Sequence, residues 1–514
     1  MSKFLKGTII LMAAGLITRI LGFINRIIVA RFIGEEGVGL FMMTFPTLIL
    51  VITITQLGLP VAISKFVAEA LAQHDYRKVK KILVVSLATT LTLSLLFTPG
   101  LILLAPFLAE TLYTDPRTYY PLAAISPIIP IIAVSSVIRG YFQGRQNMKP
   151  AAISQILEQL VRITLIAVLT KAFLPLGIEY AAAGAMLASI IGELASLIYL
   201  VTMFKLRKKF RLRRQFFQYF LKGKHTFFEL MSIALPATGS RLIGSISWFF
   251  EPIVVVHSLA IAGVLATEAT KQYGVLTGYA LPLLMLPSFI TYSLSTSLVP
   301  AISEAYAQKH YQTVEHRVQQ ALRFALLTGG IAVVVLYTFA TPIMKLMYNS
   351  TSGVALLQLM APFFIFYYYQ GPLQAVLQAL NLAKAGMINS FIGAIVKIGT
   401  IFILASQPMF GIHGAALGII TGFVLVTLLH FVTVLKVVPM TIVVSDYVKF
   451  ILIVVASSLV GKWLINHLSM VNLIGNLLSS VTLTTIFYCL LLFALRLLRK
   501  EDLQRIPFLR TWLK

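Results

Sequence analysis

The sequence predicts an all-α, polytopic membrane protein of about 14 transmembrane helices, built as two parallel-repeat six-helix bundles plus two C-terminal helices. Three observations predict it. Apolar runs of bilayer length follow one another almost end to end, basic residues crowd into alternate loops, and segments six spans apart repeat each other. The chain has 514 residues, of which 58% are hydrophobic and 11% charged. A soluble domain carries about 25% charged residues, so this chain has too little charge to clothe a water-facing surface. One spanning helix needs about 20 apolar residues. In lipid each segment must satisfy its own backbone, and the short alternating strands of a barrel are absent, which leaves helices.

Apolar runs bounded by charged or turn-rich breaks give the spans in order. They lie near 9–33, 40–64, 82–107, 119–141, 151–173, 179–204, 229–257, 273–299, 321–345, 353–378, 385–405, 412–435, 447–466 and 473–497. With the N-terminus in the cytoplasm, the inner loops and both termini hold 30 basic residues. The outer loops hold six: Arg31, Arg117, Lys171, Lys271, Lys345 and Lys462. That imbalance fixes the orientation by the positive-inside bias, with both termini cytoplasmic and the protein in the plasma membrane. The surplus of 42 Lys+Arg over 17 Asp+Glu therefore reflects topology, and no nucleic-acid partner is expected. The lone cysteine, Cys489, lies in an apolar run and excludes an internal disulfide. The N-terminal Met-Ser-Lys-Phe-Leu-Lys has the charge of a signal-peptide n-region, but Arg19 interrupts the apolar stretch and no small-residue cleavage site follows. Retention of this segment is expected.

The repeat is read from matched segments. Gly177-Ile178-Glu179-Tyr180-Ala181-Ala182-Ala183-Gly184 opens span 6, and Gly411-Ile412-His413-Gly414-Ala415-Ala416-Leu417-Gly418 opens span 12, an offset of 234. Arg162-Ile163 matches Lys397-Ile398, Gln143 matches Gln378 and Pro127 matches Pro362, each at 235. Ala62-Ile63-Ser64 matches Ala301-Ile302-Ser303 at 239, and Arg19-x-x-Gly22 matches Arg241-x-x-Gly244 at 222. Six is an even number of spans, so the halves run in the same sense, an arrangement that places substrate between repeats near the midplane. The expected organisation is an N-terminal six-helix bundle over 1–204, a basic cytoplasmic linker over 205–228, a C-terminal six-helix bundle over 229–436, and two extra helices with a basic tail over 437–514. The linker mixes Lys and Arg with aromatics and reads as an amphipathic segment on the inner membrane surface.

Charges inside the spans need a reason, because each costs at least about 2.5–3.5 kcal/mol at mid-bilayer. Arg19, Gly22 and Arg26 follow i, i+3, i+7 spacing on one face of span 1, with Asn25 beside them. Arg241 and Gly244 repeat the start of that pattern in span 7, followed by Glu251-Pro252. A cationic cavity for an anionic headgroup is one reading, since the planar guanidinium fork suits phosphate. Pairing with nearby acids, or snorkelling toward a boundary, is the other. Glu158 and Arg162 at i, i+4 read as an intrahelical ion pair. Lys397 occupies the position equivalent to Arg162, while Gly393 stands where Glu158 would be. Glu193, Glu158 and Glu251 are candidates for an ion-coupling role, against pairing with arginine. The run Phe363-Phe364-Ile365-Phe366-Tyr367-Tyr368-Tyr369 is interfacial or packing material, or a sugar or lipid contact. No phosphate loop, HExxH or paired carboxylate motif is present. No catalytic residue, metal or cofactor is therefore expected, and the protein is not expected to be an enzyme.

The stretches Gly15-Leu16-Ile17-Thr18-Arg19-Ile20-Leu21-Gly22, Gly58-Leu59-Pro60-Val61-Ala62-Ile63-Ser64-Lys65 and Pro300-Ala301-Ile302-Ser303-Glu304-Ala305 resemble the polysaccharide-transporter branch of the multidrug/oligosaccharidyl-lipid/polysaccharide exporter superfamily. Within it the chain is most similar to the stage V sporulation protein B group. The resemblance covers essentially the whole chain. It implies flipping of a lipid-linked sugar pyrophosphate, as in the related MurJ lipid II flippases, where cationic cavity residues hold the pyrophosphate and helices beyond the twelve-span core form a lipid groove. Arg19 and Arg26 fall where that family has span 1 arginines, and Glu35-Glu36 falls near an acidic position at the outer end of span 1. The arginines that MurJ carries in spans 2 and 8 have no counterpart here.

The leading expectation is thus a flippase of an undecaprenyl-pyrophosphate-linked peptidoglycan precursor, working by alternating access for spore cortex synthesis. Substrate contacts are expected from Arg19, Arg26, Asn25, Arg241, Lys397 and Arg162. Membrane lipid and cell-wall synthases are the expected partners. The competing classes are a cation-coupled drug or metabolite exporter, a flippase of another lipid-linked polysaccharide, and a membrane scaffold without transport.

Overall fold

The computed structural model describes residues 3–207, 223–441, 443–468 and 472–497. Most of the expected amphipathic linker segment and nearly all of the basic tail lie outside the described residues. Among those described there is no strand. The helices are α1 (Lys3–Gln56), α2 (Leu59–Ala72), α3 (Tyr76–Phe107), α4 (Tyr119–Ile125), α5 (Ile128–Gly144), α6 (Lys149–Phe173), α7 (Ile178–Arg207), α8 (Lys224–Ile261), α9 (Ala266–Gly274), α10 (Leu281–Met285), α11 (Ser288–Ala307), α12 (Tyr311–Thr338), α13 (Ala340–Tyr348), α14 (Val354–Met360), α15 (Phe364–Ala379), α16 (Ala383–Ala405), α17 (Gly411–Leu435), α18 (Val444–His467) and α19 (Leu473–Ala494). Eleven helical stretches among the described residues are long and apolar enough to cross a membrane, or twelve if the bent pair Ala266–Met285 and Ser288–Ala307 forms one span.

The difference from fourteen has local causes. The first two expected spans run together in α1, interrupted only at Gly34 (φ 67°, ψ −172°). That conformation is essentially open to glycine alone. The expected span 353–378 is cut by a 3₁₀ turn over Ala361–Phe363. Pro362 has no N–H to give and a fixed φ, so α14 and α15 are each shorter than a bilayer crossing. A similar interruption at Pro287 bends the α9–α11 stretch by 54°.

The chain forms two compact units: unit 1 comprises Met1–Gly278 and Ile398–Ala415, and unit 2 comprises Tyr279–Lys397 and Ala416–Lys514. In unit 1 a core of Leu59, Ile63, Val67, Val79, Leu83, Val137, Phe142, Leu200 and Leu230 joins α2, α3, α5, α7 and α8. In unit 2 one core joins α11, α12, α15 and α17 through Ile302, Val318, Val376 and Val434. A second core packs α18 and α19 against α12 through Phe450, Ile453, Tyr488 and Val334. Gly330 makes room there: an added Cβ would sit 2.8 Å from Phe450 Cζ. The Tyr488 hydroxyl donates to the Leu327 carbonyl at 2.9 Å, which satisfies a polar group in an apolar core. Outward-facing leucines such as Leu95 and Leu103 are well exposed, as a lipid-facing surface requires.

Candidate functional site

The basic face of span 1 sits in the first arm of α1. Arg19 is exposed, Arg26 half-buried and Asn25 buried. The Asn25 side-chain oxygen and that of Gln159 on α6 are both buried without a hydrogen-bond partner. α1 packs along α6, and a Cβ on Gly22 would lie 4.0 Å from Gln159 Nε2. The glycine thus leaves room between the helices at the level of the arginines. Arg241 on α8 is exposed. Four residues later Ser245 Oγ lies 3.1 Å from Thr53 Oγ1 on the second arm of α1, and Trp248 meets Phe45 edge to face. Glu251 is 6% exposed. α8 runs through both Pro236 and Pro252 without a break. On α6, Arg162 pairs with Glu158.

That pair belongs to a larger cluster which the sequence reading missed. Arg139 on α5 donates from Nη2 to Glu193 Oε1 on α7 at 3.2 Å and to Ser196 Oγ at 3.0 Å. The same nitrogen lies 3.5 Å from Glu158 Oε2. Two arginines and two glutamates therefore tie three helices together with no net charge. Gly192 allows the approach, since a Cβ there would lie 2.9 Å from the Glu158 carbonyl oxygen. In a low-dielectric stack an unpaired charge is costly, so pairing is what permits these side chains to be buried. Lys397, in unit 2, is half-buried. Its stem lies along Gly422, where an added Cβ would be 2.9 Å from Lys397 Cβ.

A second ionic junction sits beside the Gly34 break. Arg117 bonds Glu36 at 2.6 Å and Asp115 at 2.9 Å and 3.0 Å. Thr270 Oγ1 on α9 donates to Asp115 Oδ2 at 2.8 Å. Burial opposes ionisation of Asp115, but the bonds from Arg117 and Thr270 outweigh it and hold the carboxyl below its usual range. α1 and α9 cross here backbone to backbone: a Cβ on Gly274 would stand 2.5 Å from the Gly39 nitrogen, and one on Gly39 2.7 Å from the Thr270 carbonyl carbon. Among the described residues no group of three His, Cys, Asp or Glu could hold a metal ion.

Bilayer-length helices packed around paired intramembrane charge define a multi-pass membrane protein. The chain belongs to the polysaccharide biosynthesis protein family, whose model matches residues 4–306; a MatE model matches residues 276–403. It is 58% identical over 511 residues to stage V sporulation protein B of Bacillus subtilis (strain 168), with 98% of each chain covered. It is 28% identical over 418 residues to lipid II flippase MurJ of the same organism, covering 77% of this chain and 76% of that protein. A solved structure of lipid II flippase MurJ in an inward closed conformation matches with a TM-score of 0.67 at 16% identity, covering 95% of this chain and all of that one. At that identity the likeness is one of fold. The protein is a multi-pass membrane transporter of this family.

Proposed function

We propose that this protein flips an undecaprenyl-pyrophosphate-linked peptidoglycan precursor of the lipid II type across the plasma membrane, in the service of spore cortex synthesis. The observation that carries the proposal is the sign of the intramembrane charge. Arg19, Arg26, Arg139, Arg162, Arg241 and Lys397 fall within the spans, and the interior carboxylates Glu158 and Glu193 are already committed to arginines. A basic interior suits an anionic headgroup. The names of the two Bacillus subtilis relatives point to the same substrate class and developmental setting.

In this reading Arg19, Asn25, Arg26 and Arg241 receive the pyrophosphate, with Arg162 and Lys397 as further cationic contacts, while the polyprenyl tail stays in lipid. Both termini lie in the cytoplasm. An inside-negative potential favours outward movement of an anion by about 2.3 kcal/mol per charge per 100 mV, so ATP is not needed. Synthases that consume the flipped precursor are the natural partners. A cation-coupled exporter would need Glu251, Glu193 or Glu158 for a cationic substrate, and the arginines beside two of these disfavour it. A different lipid-linked polysaccharide would use the same cationic contacts.

The test is transbilayer movement of labelled lipid II in liposomes under an imposed potential. Loss of a charge-assisted bond is worth about 1.5–3 kcal/mol. Arg19→Ala and Arg241→Ala are therefore each expected to slow movement at least tenfold while leaving insertion intact. Normal flipping by both variants would overturn the assignment.

A further inference from the structure

The two carboxylates of the α5–α7 cluster have no counterpart in the second sequence repeat. By the 235-residue offset, Arg139, Glu158 and Arg162 correspond to Gln374, Gly393 and Lys397. By the 234-residue offset, Glu193 and Ser196 correspond to Thr427 and His430. At the second set of positions Thr427 Oγ1 bonds the Phe366 and Phe423 carbonyls at 2.8 Å each, and Gly393 packs against Val426. No carboxylate is held there. At the first set, one guanidinium nitrogen of Arg139 serves Glu193, Ser196 and the edge of Glu158 together. The Nε atoms of Arg139 and Arg162 are buried and make no hydrogen bond. Each arginine thus keeps an unspent donor beside a carboxylate that it neutralises.

We propose that this cluster takes up a proton together with an anion, with Glu193 as the proton acceptor and Arg139 as the residue that changes partner. On the flippase reading, on which this rests, the anion is the phosphate of the substrate. A phosphate can take two parallel donors from one guanidinium fork on two of its oxygens, and the unused Nε–H is the second donor. When Arg139 turns to phosphate, Glu193 loses the cation that neutralises it. Glu193 is 4% exposed on its side chain, and a carboxylate so buried without a cation is neutralised by protonation. One proton is taken from water on to Glu193 as the pair opens. The same proton is given back when the anion leaves and Arg139 returns. The groups facing Glu193 agree with this. α5 brings Arg139, and α6 brings the Glu158 carboxylate, a like charge beside Glu193 that stays when Arg139 turns away. Glu158 keeps Arg162 when Arg139 departs, so the proton falls to Glu193.

The experiment is infrared difference spectroscopy on the full chain in detergent, reading the carbonyl stretch of a protonated carboxyl group. Arg139→Gln is expected to show that band at neutral pH, and the double variant Arg139→Gln with Glu193→Gln to lack it. Wild-type protein is expected to gain the band on adding undecaprenyl pyrophosphate, and Glu193→Gln to bind the lipid without it. If Arg139→Gln does not fold, the comparison of wild type with Glu193→Gln carries the test alone. Binding by wild type with no new band overturns the coupled uptake and leaves the flippase reading standing. Failure of wild type to bind undecaprenyl pyrophosphate at any pH overturns that reading, and the coupled uptake with it.

Discussion

Gly274→Ala is expected to destabilise the protein by about 3 kcal/mol or more, at the upper end of what overpacking does in a close-packed interior. The reason is the nature of the obstacle. A new Cβ would stand 2.5 Å from the Gly39 nitrogen and closer still to the Glu35 carbonyl oxygen. Both are backbone, so no rotamer change relieves the clash, and α9 must move off α1. Gly39→Ala is expected to behave alike, because its Cβ would run into the Thr270 carbonyl. Gly244→Ala on α8 is the control. Nothing lies within 4 Å of its added carbon, and alanine is favoured over glycine in a helix by about 1 kcal/mol. Thermal unfolding in detergent checks all three. A Gly274→Ala variant that melts with wild type would show that the crossing is not tight in solution.

Arg117→Gln is expected to be the most damaging polar substitution. It leaves Asp115, which is 2% exposed, with Thr270 and a backbone N–H as its partners. Removing one member of a buried pair costs about 3–5 kcal/mol. Arg117 is partly exposed, which points to the lower figure. Asp115→Asn should cost less, since the amide can still accept from Thr270 and leaves no buried negative charge. The double variant should recover part of the loss, with a coupling of about 1–3 kcal/mol. pH gives an independent check. The folded carboxyl is held below the ordinary aspartate value of 3.8. Its contribution is therefore complete above that value and fades as the pH falls through the lower, folded one. Acid melting of Asp115→Asn should lack this component. If wild type and Asp115→Asn lose stability in parallel below pH 3.8, the junction does not stabilise the fold.

The helical, multi-span architecture was legible because hydropathy is local: a run of apolar residues reports its own solvent. The pairing of Glu158 with Arg162 was legible for the same reason, since i and i+4 meet on any helix. Arg139 with Glu193 was not, because the two residues are 54 apart in sequence and meet only once α5 and α7 are packed. Asp115 with Thr270, 155 residues apart, is more distant still. The Gly34 break was hidden for a different cause. Hydropathy falls at the Glu35-Glu36 pair and reads as a loop, whereas the backbone stays helical on both sides of one glycine. The continuity of α8 past Pro252 shows the opposite limit, since neighbouring helices can satisfy the backbone groups that a proline frees and let the helix run on.

The neutral cluster on α5, α6 and α7 also bears on how the chain is made. The ribosome delivers these helices in order. Arg139 must enter the bilayer 54 residues ahead of the carboxylate that it will hold. α5 alone therefore inserts with one uncompensated guanidinium, a penalty of about 2.5–3.5 kcal/mol on translocon scales. α6 arrives carrying its own counter-charge and can insert as a self-contained unit, with Glu158 already offered to Arg139 at its edge. α7 brings the last charge and closes the account. The apolar residues of the Pro116–Gly144 stretch must outweigh that penalty for it to enter the membrane, and the guanidinium gains its full complement of partners only once α6 and α7 have followed.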